Sequence, residues 1–169
     1  RFHQKISFSR HLDLARKKEA AWRMMRSAVQ LIDKLTLASV WVPTKKPSDS
    51  VEILAAFSKN IDDALIYNNR EQINIHKQNL ISHIVTFDKS TGLMAKDPQQ
   101  KAVYIEDVMS KSFSRKSVAK QIDLVSLYQV PKINKESGQL ICVTNYYTNT
   151  PHQFTVFEQR LLENHASMV

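Results

Sequence analysis

One thiol, six imidazoles and a scatter of carboxylates make up the reactive inventory of this 169-residue chain. Cys142 stands alone, so it can form neither an internal disulfide nor a multi-cysteine metal site. That fits a reducing compartment, and cytoplasm is the expected location. The residue lies mid-strand before Val143 and reads as a buried small hydrophobe. His76 and His83 share a face if residues 70 to 87 are helical. Two turns then separate them, about 10 Å at 1.5 Å per residue, which is too far for one metal ion. His3, His11, His152 and His165 have no ligand spacing to an acid or thiol, so no metal site is expected. Asp62, Asp63, Asp88 and Asp107 read as caps and loop solvation. No nucleophile, base and orienter fall together, so the chain is not expected to be an enzyme. With only two glycines, neither a dinucleotide fingerprint nor a P-loop can be built. The sequence names no cofactor.

Positioning such groups needs a core, and the composition supplies one. Hydrophobic residues are 43% and charged residues 24% of the chain. At this length roughly 70% of the surface of the unfolded chain is buried on folding, which excludes disorder as the main state. The apolar stretch Leu37 to Val42, broken by Ser39, falls short of the ~20 residues of a membrane span. The net charge of +8 is uneven: residues 1 to 50 hold 11 Lys/Arg and 4 Asp/Glu, the remainder 13 and 12. Arg10, Arg16, Lys17, Lys18, Arg23 and Arg26 crowd one segment, either a solvated helix face or a surface for anionic lipid or nucleic acid. Nucleic acid is the disfavoured partner, because such a footprint normally spreads over a docking face. The sequence opens on Arg1 without an initiator Met or signal-peptide pattern and stops at Val169 within a helical pattern, so a piece of a larger protein is expected.

Leu12 to Leu35 lacks Gly and Pro. Trp22, Met25, Val29 and Ile32 recur at helical spacing beside a second row, Met24, Ala28, Leu31 and Leu35, predicting a long helix. Its apolar surface is wide enough for the domain's own sheet, for a second subunit, or for both. Leu37 to Pro43 and Val51 to Phe57 predict a strand hairpin. Residues 70 to 87 predict a helix carrying Ile73, Leu80, Ile81, Ile84 and Phe87, ended by Ser90, Thr91 and Gly92. A strand at Ala102 to Ile105 and a helix around Phe113 to Ile122 follow. Leu124 to Ile133 and Gln139 to Tyr147 pair through a loop with Gly138 at positive φ. Thr155 and Glu158 form a capping box in front of Phe157, Leu161, Leu162 and His165. The element order gives an α+β fold with a mostly antiparallel sheet and helices packed on its faces.

Four stretches then carry a family pattern. Thr91-Gly92-Leu93-Met94-Ala95 precedes Val103-Tyr104-Ile105-Glu106-Asp107. Ser126 to Pro131 is a Ser-leading strand ending in Val-Pro. Gly138 to Val143 is a returning strand, and Phe154-Thr155-Val156-Phe157-Glu158 leads to Leu161-Leu162. In order and spacing these resemble a GAF domain, the small-molecule-sensing module of signalling proteins, over about residues 20 to 169. Cys142 departs from the pattern, since many members have Gly there.

The resemblance implies a central antiparallel sheet of five or six strands between long N-terminal and C-terminal helices. Residues 1–35 would be a basic linker and dimerisation helix, and residues 36–169 the sensory domain. It implies a regulatory role within a larger signalling protein, with a covalently linked output domain and a homodimer formed through the first helix. A ligand would sit between the sheet and segments around residues 60 to 87 and 108 to 122, against Trp41, Phe57, Tyr104, Phe113 and Tyr128. Two alternatives stay open: a ligand-free dimerisation and signal-transmission module, and binding of nucleic acid or an anionic surface through the basic helix. Phosphodiesterase-type members hold cyclic nucleotides with an Asn-Lys pair and a later Phe-x-x-x-Asp-Glu. Here Asn145, Phe154 and Glu158 match, while Tyr146 and Gln159 replace the Lys and the final acid. Members that attach bilins do so through a Cys in the helical cap, and those that reduce methionine sulfoxide need several thiols. One strand thiol suits neither.

Overall fold

The long strands of this chain are rich in β-branched and aromatic residues, which suit a pleated, half-buried surface. The computed structural model describes residues 2–44, 49–60, 73–74, 80–110 and 124–169, with side chains from Leu12 onward except at 73 and 74. Helix α1 (Phe2–Leu31) leads into the long strands β1 (Leu35–Pro43) and β2 (Ser50–Ser58). Short β3 (Ile73–Asn74), β4 (Val85–Asp88), β5 (Gly92–Ala95) and β6 (Val103–Ile105) follow, then β7 (Leu127–Ile133), β8 (Leu140–Thr148) and helix α2 (Val156–Ser167). Six strands make one sheet in the order β3-β2-β1-β8-β7-β6, with every neighbouring pair antiparallel. This is the expected α+β architecture with a helix at each end.

α1 stops four residues earlier than the spacing predicts. Leu35 continues the apolar row but opens β1, and the turn between holds a Leu35 N–H bond to the Ile32 carbonyl. Along α1, Met25, Ala28, Val29 and Ile32 are buried against the sheet, whereas every residue from Leu12 to Ala20 is exposed. The second predicted row is divided: Ala28 is buried, Met24 lies half-buried on the core and Leu31 is exposed.

The helix predicted over residues 70 to 87 is corrected in its described part. Residues 80–84 are turns and Val85–Asp88 is a strand paired with β5. Ile81 and Ile84 have a helix-like spacing, but both are buried from consecutive turns, and period alone cannot separate the two cases in so short a run. Ser90, Thr91 and Gly92 therefore close a hairpin rather than a helix. The Asp88 carboxylate accepts from the N–H groups of Ser90 and Thr91 and from the Ser90 hydroxyl, and Gly92 takes a φ of 91°. These bonds, led by the Ser90 hydroxyl, hold the Asp88 carboxyl below its usual range. The helix expected around Phe113 to Ile122 lies outside the described residues.

The final strand pair and helix match the sequence pattern. Gly138, at a φ of 76°, follows a turn in which the Asn134 side chain accepts from Glu136 and Ser137 N–H. The Thr155 hydroxyl accepts from Glu158 N–H and the Glu158 carboxylate from Thr155 N–H, completing the capping box. The buried face of α2 is Leu162, His165 and Ala166, while Phe157 is 71% exposed. Lys132, across from Cys142 on β8, reaches the carbonyls of Ser167 and Val169 at the far end of the helix.

Candidate functional site

Register divides the side chains of the sheet between two faces. Phe57, Ala38, Tyr146, Tyr128 and Tyr104 are successive cross-strand partners from β2 to β6, so they form one row on one face. α1 and α2 cover that face, and Met25, Val29, Val40, Tyr146, Phe154 and Leu162 join in a single core beneath them. One residue further along each strand, Ala56, Ser39, Asn145, Gln129 and Val103 form the row on the opposite face.

This second row has polar residues at its centre although it is buried: Ser39 is 4% exposed, Asn145 2% and Gln129 0%. It lies between two apolar clusters, which Ile53 and Val103 both touch. Leu37, Ile105, Val108, Leu127 and Tyr147 lie to one side, and Trp41, Val51, Ile84, Leu93 and Val143 to the other. Each polar group has one neighbour that orients it. The Trp41 indole N–H donates to Ser39 Oγ at 3.2 Å. Gln129 Nε2 donates to the Leu80 carbonyl at 2.9 Å, and Asn145 Nδ2 to the Tyr147 hydroxyl at 3.4 Å. Gln129 Oε1 and Asn145 Oδ1 are buried without a hydrogen-bond partner. Burial without a partner costs about 1–3 kcal/mol for each such group.

The helix-covered face holds its own polar device. His165, on α2, gives its Nε2–H to the Met24 carbonyl of α1 at 2.8 Å, while Nδ1 lies 2.7 Å from the Tyr146 hydroxyl. A carbonyl only accepts, so Nε2 carries the proton and Nδ1 accepts from tyrosine. Desolvation holds the imidazole pKa below its ordinary value, partly opposed by the Met24 bond. Burial likewise pushes the Tyr146 hydroxyl up. One imidazole thus joins both terminal helices to the centre of the sheet. Near the start of α2, His152 and Glu158 pair at 3.1 Å, a partnership that sequence spacing did not expose. Burial raises the Glu158 pKa, but the Thr155 N–H and His152 outweigh it and leave the carboxyl below its usual range.

Of the five aromatic residues expected at the site, the four that are described do not converge. Trp41 is on the polar-row face. Phe57 and Tyr128 belong to the helix-covered core, Phe57 edge-on to Trp22 with ring centroids 5.7 Å apart and Tyr128 donating to Glu163. Tyr104, 39% exposed, shares their row and packs on Phe154. Phe113 lies outside the described residues. Ser39 and Gln129 carry no apolar or aromatic signal; only their polarity at a buried mid-strand position marks them. Of the cyclic-nucleotide pattern, Asn145 lies on the polar row, but Phe154 sits among the rings of Tyr104, Tyr128 and His152 and Glu158 caps α2. Cys142 is buried on the helix-covered side, where desolvation raises its thiol pKa.

No family model matches the chain, and no curated protein matches it. Solved structures do. The GAF domain/HD domain protein from Geobacter sulfurreducens has a TM-score of 0.65 at 12% identity, over 92% of this chain and 90% of that one. The GAF domain of a sensor histidine kinase from Bacillus halodurans has 0.61 at 12%, over 89% of each. The type II free methionine-R-sulfoxide reductase from Thermoplasma acidophilum has 0.59 at 13%, over 92% and 90%. The chain therefore has a GAF-like fold, an architecture that serves both signalling domains and an enzyme, and fold alone does not choose between them. Among the described residues no helix is long and apolar enough to cross a membrane.

Proposed function

We propose that this chain is a regulatory, sensory domain of a larger signalling protein, binding a small molecule on the Ser39–Asn145–Gln129 face and passing occupancy to neighbouring domains through α1 and α2. The observation that carries it is the contrast between the sheet faces: one joins the two terminal helices through His165, the other buries acceptors that the fold leaves unmet. A ligand shifts such a domain only through differential affinity for two arrangements of the helices, and His165 is a contact through which they can change together. Sensing is favoured over thiol-based catalysis because the sole thiol is buried under the helices with its thiolate disfavoured.

The second reading is a dimerisation and signal-transmission module, with residues 1–35 as the pairing helix. Leu12, Leu14 and Leu31 favour it, being 41%, 37% and 45% exposed along α1. A linked output domain and a cytoplasmic setting belong to both readings. Native mass spectrometry of the purified chain, with thermal-shift screening against nucleotides and metabolites, separates them. The sensory reading expects a co-purifying species or a compound that raises the midpoint. Absence of both, with a dimer that dissociates on deleting residues 1–20, would favour the second.

A further inference from the structure

Resting on the reading of the polar-row face as the binding face, the orientation of two carboxamides narrows what it takes. Gln129 and Asn145 are direct cross-strand partners on β7 and β8, so their Cβ atoms are about 4.5–5.5 Å apart and their side chains rise side by side. The Leu80 carbonyl only accepts, so the end of Gln129 facing it must be the NH2. Asn145 Nδ2 lies 3.4 Å from the Tyr147 hydroxyl. In this arrangement both amide oxygens are buried without a partner. We propose that these two oxygens receive N–H groups from an uncharged small molecule, of the primary-carboxamide or amino-heterocycle class.

Charge sets the second half of that description. Among the described residues the buried polar side chains are Ser, Thr, Asn, Gln and His, with no carboxylate among them. An ammonium entering there would lose its hydration with only dipoles in exchange, whereas a neutral amide or aminopyrimidine loses far less. A carboxylate ligand would place like partial charge against both oxygens. Trp41 and Tyr147 lie two residues beyond Ser39 and Asn145 on the same strands, and so on the same face. They supply aromatic surface on opposite sides of the row. Ser39 accepts from Trp41 and retains its own hydrogen to donate, so a carbonyl beside the ligand's NH2 is also served.

The test is an NMR titration of the whole 169-residue chain, following the backbone amides and the side-chain NH2 signals of Gln129 and Asn145. The probes are nicotinamide, benzamide and 2-aminopyrimidine, each paired with its N,N-dimethyl counterpart, which keeps the ring and removes the donors. Expected are shifts at both side-chain amides with the donor-bearing member of at least one pair, and affinity about tenfold lower or worse for its dimethyl partner. Gln129→Leu and, separately, Asn145→Leu should weaken the donor-bearing probe by a similar factor while leaving its partner unchanged. A variant that misfolds is replaced by Gln129→Met. Equal binding of both members at this face would overturn the donor assignment and leave the binding face intact. No binding by any probe would count against the face itself.

Discussion

The two faces of the sheet are built from neighbouring rows of the same strands, yet they solve burial differently. Under α1 and α2 one continuous apolar core runs from Ala21 to Ala166, and its central polar groups, Tyr146 and His165, satisfy each other. Across the sheet the apolar residues fall into two clusters with Ser39, Asn145 and Gln129 between them. The difference teaches where stability and where recognition reside. A row of Val or Ile would avoid unmet acceptors there, so amide oxygens in this row are a cost to folding that a bound partner, ligand or buried water, would offset. Thr144, whose hydroxyl is buried without a partner on the helix side between Val40 and Val130, is a single such group rather than a row.

The largest effect that would sharpen this contrast is expected from the helix side. Met25→Ala empties a fully buried position in the continuous core, and urea unfolding should record a loss of about 2–5 kcal/mol. A loss below 1 kcal/mol would break the comparison.

Tyr146→Phe removes the hydroxyl that faces His165 and lies 3.3 Å from the Leu162 carbonyl. A loss of about 1–3 kcal/mol is expected. It should be accompanied by altered amide exchange in both α1 and α2, because one imidazole ties them; a change confined to α2 would argue against that tie.

The same histidine sets a pH dependence. Its folded pKa lies below the ordinary value of 6.5, so folding favours the neutral ring. Its contribution is complete above that value and is lost as pH falls through the folded pKa. Stability measured from pH 7 downward should decline in the native chain, and His165→Gln should lack that component. Identical pH profiles would show that the ring titrates normally.

Smaller effects come from the ends of α2. Thr155→Ala breaks the capping box and should cost about 1 kcal/mol in thermal or chemical unfolding. Phe157→Ser, at a side chain 71% exposed, should change stability by less than about 0.5 kcal/mol. A larger loss would mean that Phe157 is covered in solution by another chain.

How much of this was legible in the sequence follows from which signals are local. The capping box, the Gly138 turn and the strand pair β7–β8 rest on residues close together in the chain, and all are present. The β4–β5 hairpin was hidden because Ile81 and Ile84 imitate a helical period, although Asp88, Ser90 and Gly92 carry a turn. The site depended on register. Val103, Gln129, Asn145 and Ser39 come from four strands separated by up to 106 positions, and only pairing puts them in one row. The alternation of β7 and β8 marks Gln129 and Asn145 as polar residues on a buried face. Aromatic type led instead to Phe57, Tyr104 and Tyr128, which register places on the other side.

The most direct test of the division between the faces is the urea-unfolding stability of Gln129→Met beside that of Met25→Ala. If Gln129 serves recognition, exchanging it for an apolar side chain of similar length removes an unmet acceptor as well as the bond to Leu80. The ligand-free chain should then stay within about 1 kcal/mol of the native value. A loss as large as that of Met25→Ala would show that Gln129 holds the fold together, and would contradict the assignment of this face to binding.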